Sequence, residues 1–202
     1  MKYIFIFHVC FITLNSYGQI DTLIANQYFK KADSLQYAAQ YDSAIIYFQK
    51  ASKLYLSAAK EGFYSTTSAL DSLPPKALAQ EGGMEIRSSY ETYLAMHITC
   101  YRQIGWNYLK KAEHLTAIEY LEKGLEKAVL SSSSPSLPHI IHVREAGKLM
   151  SNSSLPIDKS REGAGNKILI AMTGCYNVLG VVYRNKADYD KALEYHQLAL
   201  DR

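Results

Sequence analysis

The sequence predicts an all-α fold, an α-α superhelix in which antiparallel helix pairs stack into a solenoid. Three observations point there. The 202-residue chain is 48% hydrophobic and 20% charged, with only 11 Gly and 5 Pro, a globular balance with few breakers. It holds 17 Tyr, a residue that fills gaps between stacked helices and that binding surfaces favour. One spacing of aromatic and small residues also recurs at three places, the mark of a repeat architecture.

The recurrence is clearest near the end of the chain. Tyr176-Asn177-Val178-Leu179-Gly180 is followed by Tyr183, then Ala187-Asp188-Tyr189-Asp190-Lys191-Ala192, Tyr195-His196 and Ala199. Gly180 has no side chain, so a second helix can lie close against the first. Ala192 and Ala199 permit the same approach from the other side, and Tyr176, Tyr183 and Tyr195 fill the space that remains. Asp188 falls in the turn, where a carboxylate caps the next helix. His196 stands at a place that usually holds an aromatic, so a packed imidazole is expected there. A second copy runs through Tyr101, Ile104, Gly105, Tyr108, Ala117 and Leu121, with Gly124 in place of an Ala. The first copy holds Tyr28, Ala32, Leu35, Tyr41, Ala44, Phe48 and Ala51. Lys31 and Ala32 stand there where Leu and Gly are usual, a deviation expected of a terminal repeat.

This pattern resembles the tetratricopeptide-repeat family, in its bacterial exported style, and the match is close over Met172–Asp201. The resemblance implies a non-catalytic module that holds a protein or peptide in a concave groove. It also implies that the first helix of each repeat lines that groove. Carried over by position, the second copy contributes Thr99, Arg102, Trp106, Leu109 and Lys110. The third contributes Gly174, Asn177, Val181, Arg184 and Asn185, and the first Asn26, Phe29, Asp33, Gln36 and Tyr37. Of these, Arg102, Trp106, Lys110, Asn177, Arg184 and Asn185 are the expected partner-binding residues. Arg102, Lys110 and Arg184 on one groove suit an acidic segment or a terminal carboxylate. A solvated basic face is the plainer reading of the same cations. Trp106, the single Trp, fits either the core or a binding hot spot.

The spacing is irregular. Ala32 and Gly105 lie 73 residues apart, and Gly105 and Gly180 lie 75 apart. Two units of about 34 residues would need less. Each interval therefore holds either a degenerate extra helix pair or long helices plus an insertion. Pro74-Pro75 marks a boundary, and the Ser/Pro/Gly-rich stretch 131–165 reads as a surface insertion. Recognisable repeats span about 25–58, 98–130 and 173–202 within an array covering 19–202.

Residues 1–18 differ from the rest. Lys2 precedes an apolar run from Tyr3 to Leu14, and small residues stand directly before and three before a cut after Gly18. That is the layout of a cleaved secretory signal, with an uncleaved anchor as the alternative. Export to the periplasm or beyond is the expectation, with no membrane span after cleavage. Cys10 lacks the small preceding residue that lipoprotein processing wants. Cys100 and Cys175 hold the same place in successive repeats, too far apart for a disulfide, and read as buried thiols.

No strong catalytic motif is present, and neither a cofactor nor a metal is expected. His139 and His142 lack a third ligand nearby. Gly163-Ala164-Gly165-Asn166-Lys167 lacks phosphate-loop spacing and reads as a hinge. Cys100 and Cys175 have no activating base. A net charge of +3 without a basic run argues against nucleic acid. The rival expectation is an N-terminal repeat region of a larger exported sensor or caspase-like protease, because the sequence ends within a helix at Leu200-Asp201-Arg202 with no polar cap.

Overall fold

The computed structural model describes residues 21–70, 82–132 and 165–201. The expected leader, Pro74-Pro75, His139 and His142 lie outside these residues. All regular structure among them is helical: α1 (21–37), α2 (Tyr41–Leu70), α3 (Gly82–Lys110), α4 (His114–Ser132), α5 (Gly165–Asn185) and α6 (Tyr189–Leu200). Gly165-Asn166-Lys167 form the first turn of α5 rather than part of a hinge. Residues 71–81 alone separate α2, of 30 residues, from α3, of 29. The first interval is thus filled by long helices, with no room for another pair.

The helices join in three pairs, α1–α2, α3–α4 and α5–α6, through one type of turn. Gln40 N–H donates to the Leu35 carbonyl at 2.9 Å, and Ala39 N–H to that of Gln36 at 3.0 Å. Glu113 and Ala112 repeat this with Tyr108 and Leu109, as Asp188 and Ala187 do with Tyr183 and Arg184. These crossed bonds satisfy the last carbonyls of each first helix and place one residue in the left-handed region. That residue is Ala each time: Ala39 at φ 56°, Ala112 at 59° and Ala187 at 60°. Asp188 caps α6 as expected, its side chain accepting from Lys191 N–H at 3.3 Å.

Small residues set the approach within each pair. A Cβ on Gly105 would lie 2.6 Å from Leu121 Cγ, and one on Gly180 would lie 2.6 Å from His196 Cε1. His196 is therefore the packed imidazole expected of it. Tyrosines repeat around these contacts. Tyr108 stacks on Tyr120 at 5.2 Å between ring centroids, and Tyr183 on Tyr195 at 5.3 Å. In the first pair Phe29 meets Phe48 edge-on at 5.2 Å, above the buried Ala32 and Ala44.

Successive pairs stack through the first helix of the later one. Ile104 of α3 packs with Ala44, Ile45 and Phe48. Cys100 packs with Ala51 and Tyr55. The largest core joins α3, α4, α5 and α6 through Leu121, Leu125, Met172, Cys175, Leu179 and Val182. Both thiols are buried and free, and burial pushes that of Cys175 up to about 12, which removes it from nucleophilic chemistry near neutrality.

Candidate binding groove

The first helices α1, α3 and α5 lie side by side and run the same way. Arg102 sits near enough to Asp33 to act on its charge, and further along Asn107 Nδ2 donates to Gln36 Oε1 at 3.0 Å. On the other flank Lys167 Nζ donates to Thr92 Oγ1 at 2.9 Å, and Arg102 lies over Gly174. In both flanks later residues meet later residues, so the three helices are parallel and present one continuous face.

Arg102, Trp106 and Lys110 form the central stripe of that face, spaced four residues apart on α3. Lys110 Nζ stands 4.7 Å from the Trp106 ring centroid, a cation–π contact. Trp106 is half-buried and packs on the core by one side, so it is neither wholly core nor free. Arg102 is also half-buried, between Asp33 and Gly174. Burial raises the Asp33 carboxyl above the usual carboxylate range while the Arg102 cation opposes that rise.

Asn177, Arg184 and Asn185 are exposed on α5. Arg184 occupies the last turn of α5 and Lys110 the last turn of α3, so one end of the stack carries two cations. Leu109 departs from its expected place in the groove: it is buried in the main core. Thr99 spends its hydroxyl on the Ala95 carbonyl at 2.8 Å, and Asn26 accepts from the Tyr55 hydroxyl at 2.6 Å.

Asn107 is fully buried and was not marked by the repeat pattern. It donates to the Gln103 carbonyl at 2.7 Å as well as to Gln36, fixing a polar residue between α1 and α3. Its sequence signal is an amide at the place where the last helix pair holds Val182.

The sequence model of the tetratricopeptide repeat matches residues 173–202, which take in all of α6 and α5 from Thr173 onward. The chain carries a tetratricopeptide repeat. Helix pair α3–α4 shares this repeat's turn, its glycine contact and its tyrosine positions, while α1–α2 shares the turn but has Ala32 in place of the glycine and Leu35 in place of Tyr183. The tetratricopeptide repeat is in general a protein–protein interaction unit, typically a non-catalytic scaffold. Comparison with curated proteins finds no matching relative. Among the described residues, no group of three His, Cys, Asp or Glu is placed to hold a metal ion. No described helix is long and apolar enough to cross a membrane.

Proposed function

We propose that this chain is a non-catalytic interaction module that holds a protein or peptide segment along the face of α1, α3 and α5. The observation that supports this most is the central stripe. Arg102, Trp106 and Lys110 combine a half-buried guanidinium, an aromatic face and a cation on one line of α3. Preformed helices hold them, so binding requires little ordering of the receptor. Arg102, Lys110 and Arg184 favour a segment bearing carboxylates, with Asn177 and Asn185 supplying amide contacts. The amino-terminal layout supports export to the bacterial envelope, with cleavage after Gly18.

The test is capture from the envelope fraction of the host, with residues 19–202 as bait and Arg102→Ala/Trp106→Ala as control. A protein retained by the parent and lost by a double variant of unchanged helicity supports the groove. Equal retention by both, or capture of nothing by folded bait, refutes it.

A further inference from the structure

We propose that the occupant of the groove is a second copy of this chain, which seats the outer ridge of α4 against the Arg102–Trp106–Lys110 stripe; the assignment rests on the groove proposed above. Two faces of opposite charge meet in this contact. The groove positions on α1, α3 and α5 hold three cations, Arg102, Lys110 and Arg184, against one carboxyl, Asp33. Lys110 and Arg184 are exposed, and no salt bridge holds either among the described residues.

The ridge carries the opposite charge. Leu115, Glu119, Glu122 and Glu126 follow one another at gaps of four, three and four residues, so they stand on one face of α4. All four are exposed, Leu115 by 74%. Lys123 pairs with Glu119 at 2.6 Å, and no salt bridge holds Glu122 or Glu126 among the described residues. The other side of α4 is spent on the core through Ala117, Leu121 and Leu125. The repeat itself does not require acids on the ridge. At the places of Glu119, Glu122 and Glu126, α2 holds Ile46, Gln49 and Lys53, while α6 extends the acid face with exposed Glu194 and Asp201.

The two faces also match in length. Glu119 and Glu126 are seven residues apart, about 10 Å along a helix, and Arg102 and Lys110 are eight apart, about 12 Å. Laid antiparallel to α3, the partner's α4 sets one end of its acid run by Arg102 and the other by Lys110. Its apolar end then passes beyond Lys110 toward Tyr37, which holds the register of Lys110 on α1 and is 90% exposed. An apolar contact thus ends a charged seam.

One molecule cannot join its own two faces, because the groove lies on the first helices and the ridge on the far side of a second helix. The contact is therefore heterologous: each added copy leaves one groove and one ridge free, and assembly proceeds head to tail. A net charge of +3 sets little general repulsion against it.

Sedimentation velocity of the full chain tests the proposal. The mass should rise with concentration past that of a dimer and fall as salt is raised. The ridge variant Glu122→Ala/Glu126→Ala and the groove variant Arg102→Ala/Lys110→Ala should each self-associate about tenfold more weakly, or worse, with unchanged circular dichroism. Mixed in equal amounts, the two variants should form a dimer and nothing larger, since only one intact ridge and one intact groove remain per pair. A parent that stays monomeric overturns the proposal, as does self-association indifferent to either variant or a mixture that forms no dimer. If the groove variant loses helicity, the ridge variant, altered only at exposed positions, decides alone. A monomeric parent that still loses an envelope protein through Arg102→Ala/Trp106→Ala overturns the second copy as occupant and leaves the groove standing. A monomeric parent that captures nothing overturns both.

Discussion

Arg102 lies across Gly174: its Cδ and Nη1 each stand 2.7 Å from where a Cβ on residue 174 would sit. The matching positions in the earlier pairs are Thr99 and Asn26, which carry side chains. The bare backbone of α5 therefore makes the bed in which the central groove cation rests. Gly174→Ala should push aside a flexible side chain at little cost. The helix preference of Ala over Gly, about 1 kcal/mol, offsets the crowding. The melting temperature should move by no more than about 4 °C. Partner binding should fall to the level of Arg102→Ala, as titration of both variants against the captured partner will read.

Gly105 and Gly180 behave differently, because what stands against them is less mobile. A Cβ on Gly105 would meet Leu121 Cγ at 2.6 Å and the Ala117 carbonyl oxygen at 3.2 Å. Leu121 is fully buried and has nowhere to go. Gly105→Ala should destabilise the chain by about 1–3 kcal/mol through overpacking, net of the helix-propensity gain. Gly180→Ala should cost less, since His196 on α6 is only half-buried. Urea denaturation of the two variants beside the parent checks both the sign and the order.

These glycines show what was legible in the sequence. Tyr101, Gly105, Tyr108 and Ala117 recur as Tyr176, Gly180, Tyr183 and Ala192 because each small residue is required where two helix axes approach. Such a requirement leaves a spacing on the page. The lengths of α2 and α3 left none, because a helix prolonged past its repeat needs only a continued apolar stripe. Leu109 was misplaced because its position faces the groove only where the neighbouring first helix leaves it open, and here it joins the main core. The pairing of Asn107 with Gln36, or of His97 with Ser52, joins residues 71 and 45 positions apart. Nothing local in either residue foretells such a partner.

The three turns make a separate prediction. Ala39, Ala112 and Ala187 all hold left-handed backbone, where a Cβ crowds the carbonyl and costs about 1–2 kcal/mol. Gly relieves that strain and gives back part of it as unfolded-state entropy. Each Ala→Gly change should stabilise the chain by roughly 1 kcal/mol or somewhat less. The turns are far apart in sequence and share no bonds, so the three gains should add. A triple variant whose urea midpoint falls below the parent's would show that these turns are not strained.

His97 gives the chain a pH dependence of definite sign. Its Nδ1 donates to the Ser52 carbonyl at 2.9 Å and lies 2.8 Å from Ser52 Oγ, binding α3 to α2. Its Nε2 is buried without a hydrogen-bond partner among the described residues. A second proton would place a cation there, so burial lowers the imidazole below its ordinary 6.5. The Ser52 carbonyl resists that shift, while Lys127 and Lys60 reinforce it. On acidification the unfolded chain takes up the proton near pH 6.5, before the folded chain does. Between the two values the unfolded state holds more protons, so stability falls as the pH drops through that window. The slope is at most about 1.4 kcal/mol per pH unit for one group. His97→Gln cannot titrate and keeps an amide within reach of the Ser52 carbonyl. Its urea midpoint should therefore change less than the parent's between pH 7 and pH 5. Equal slopes in the two proteins would mean that another group carries the acid sensitivity and that Nε2 accepts its proton without cost.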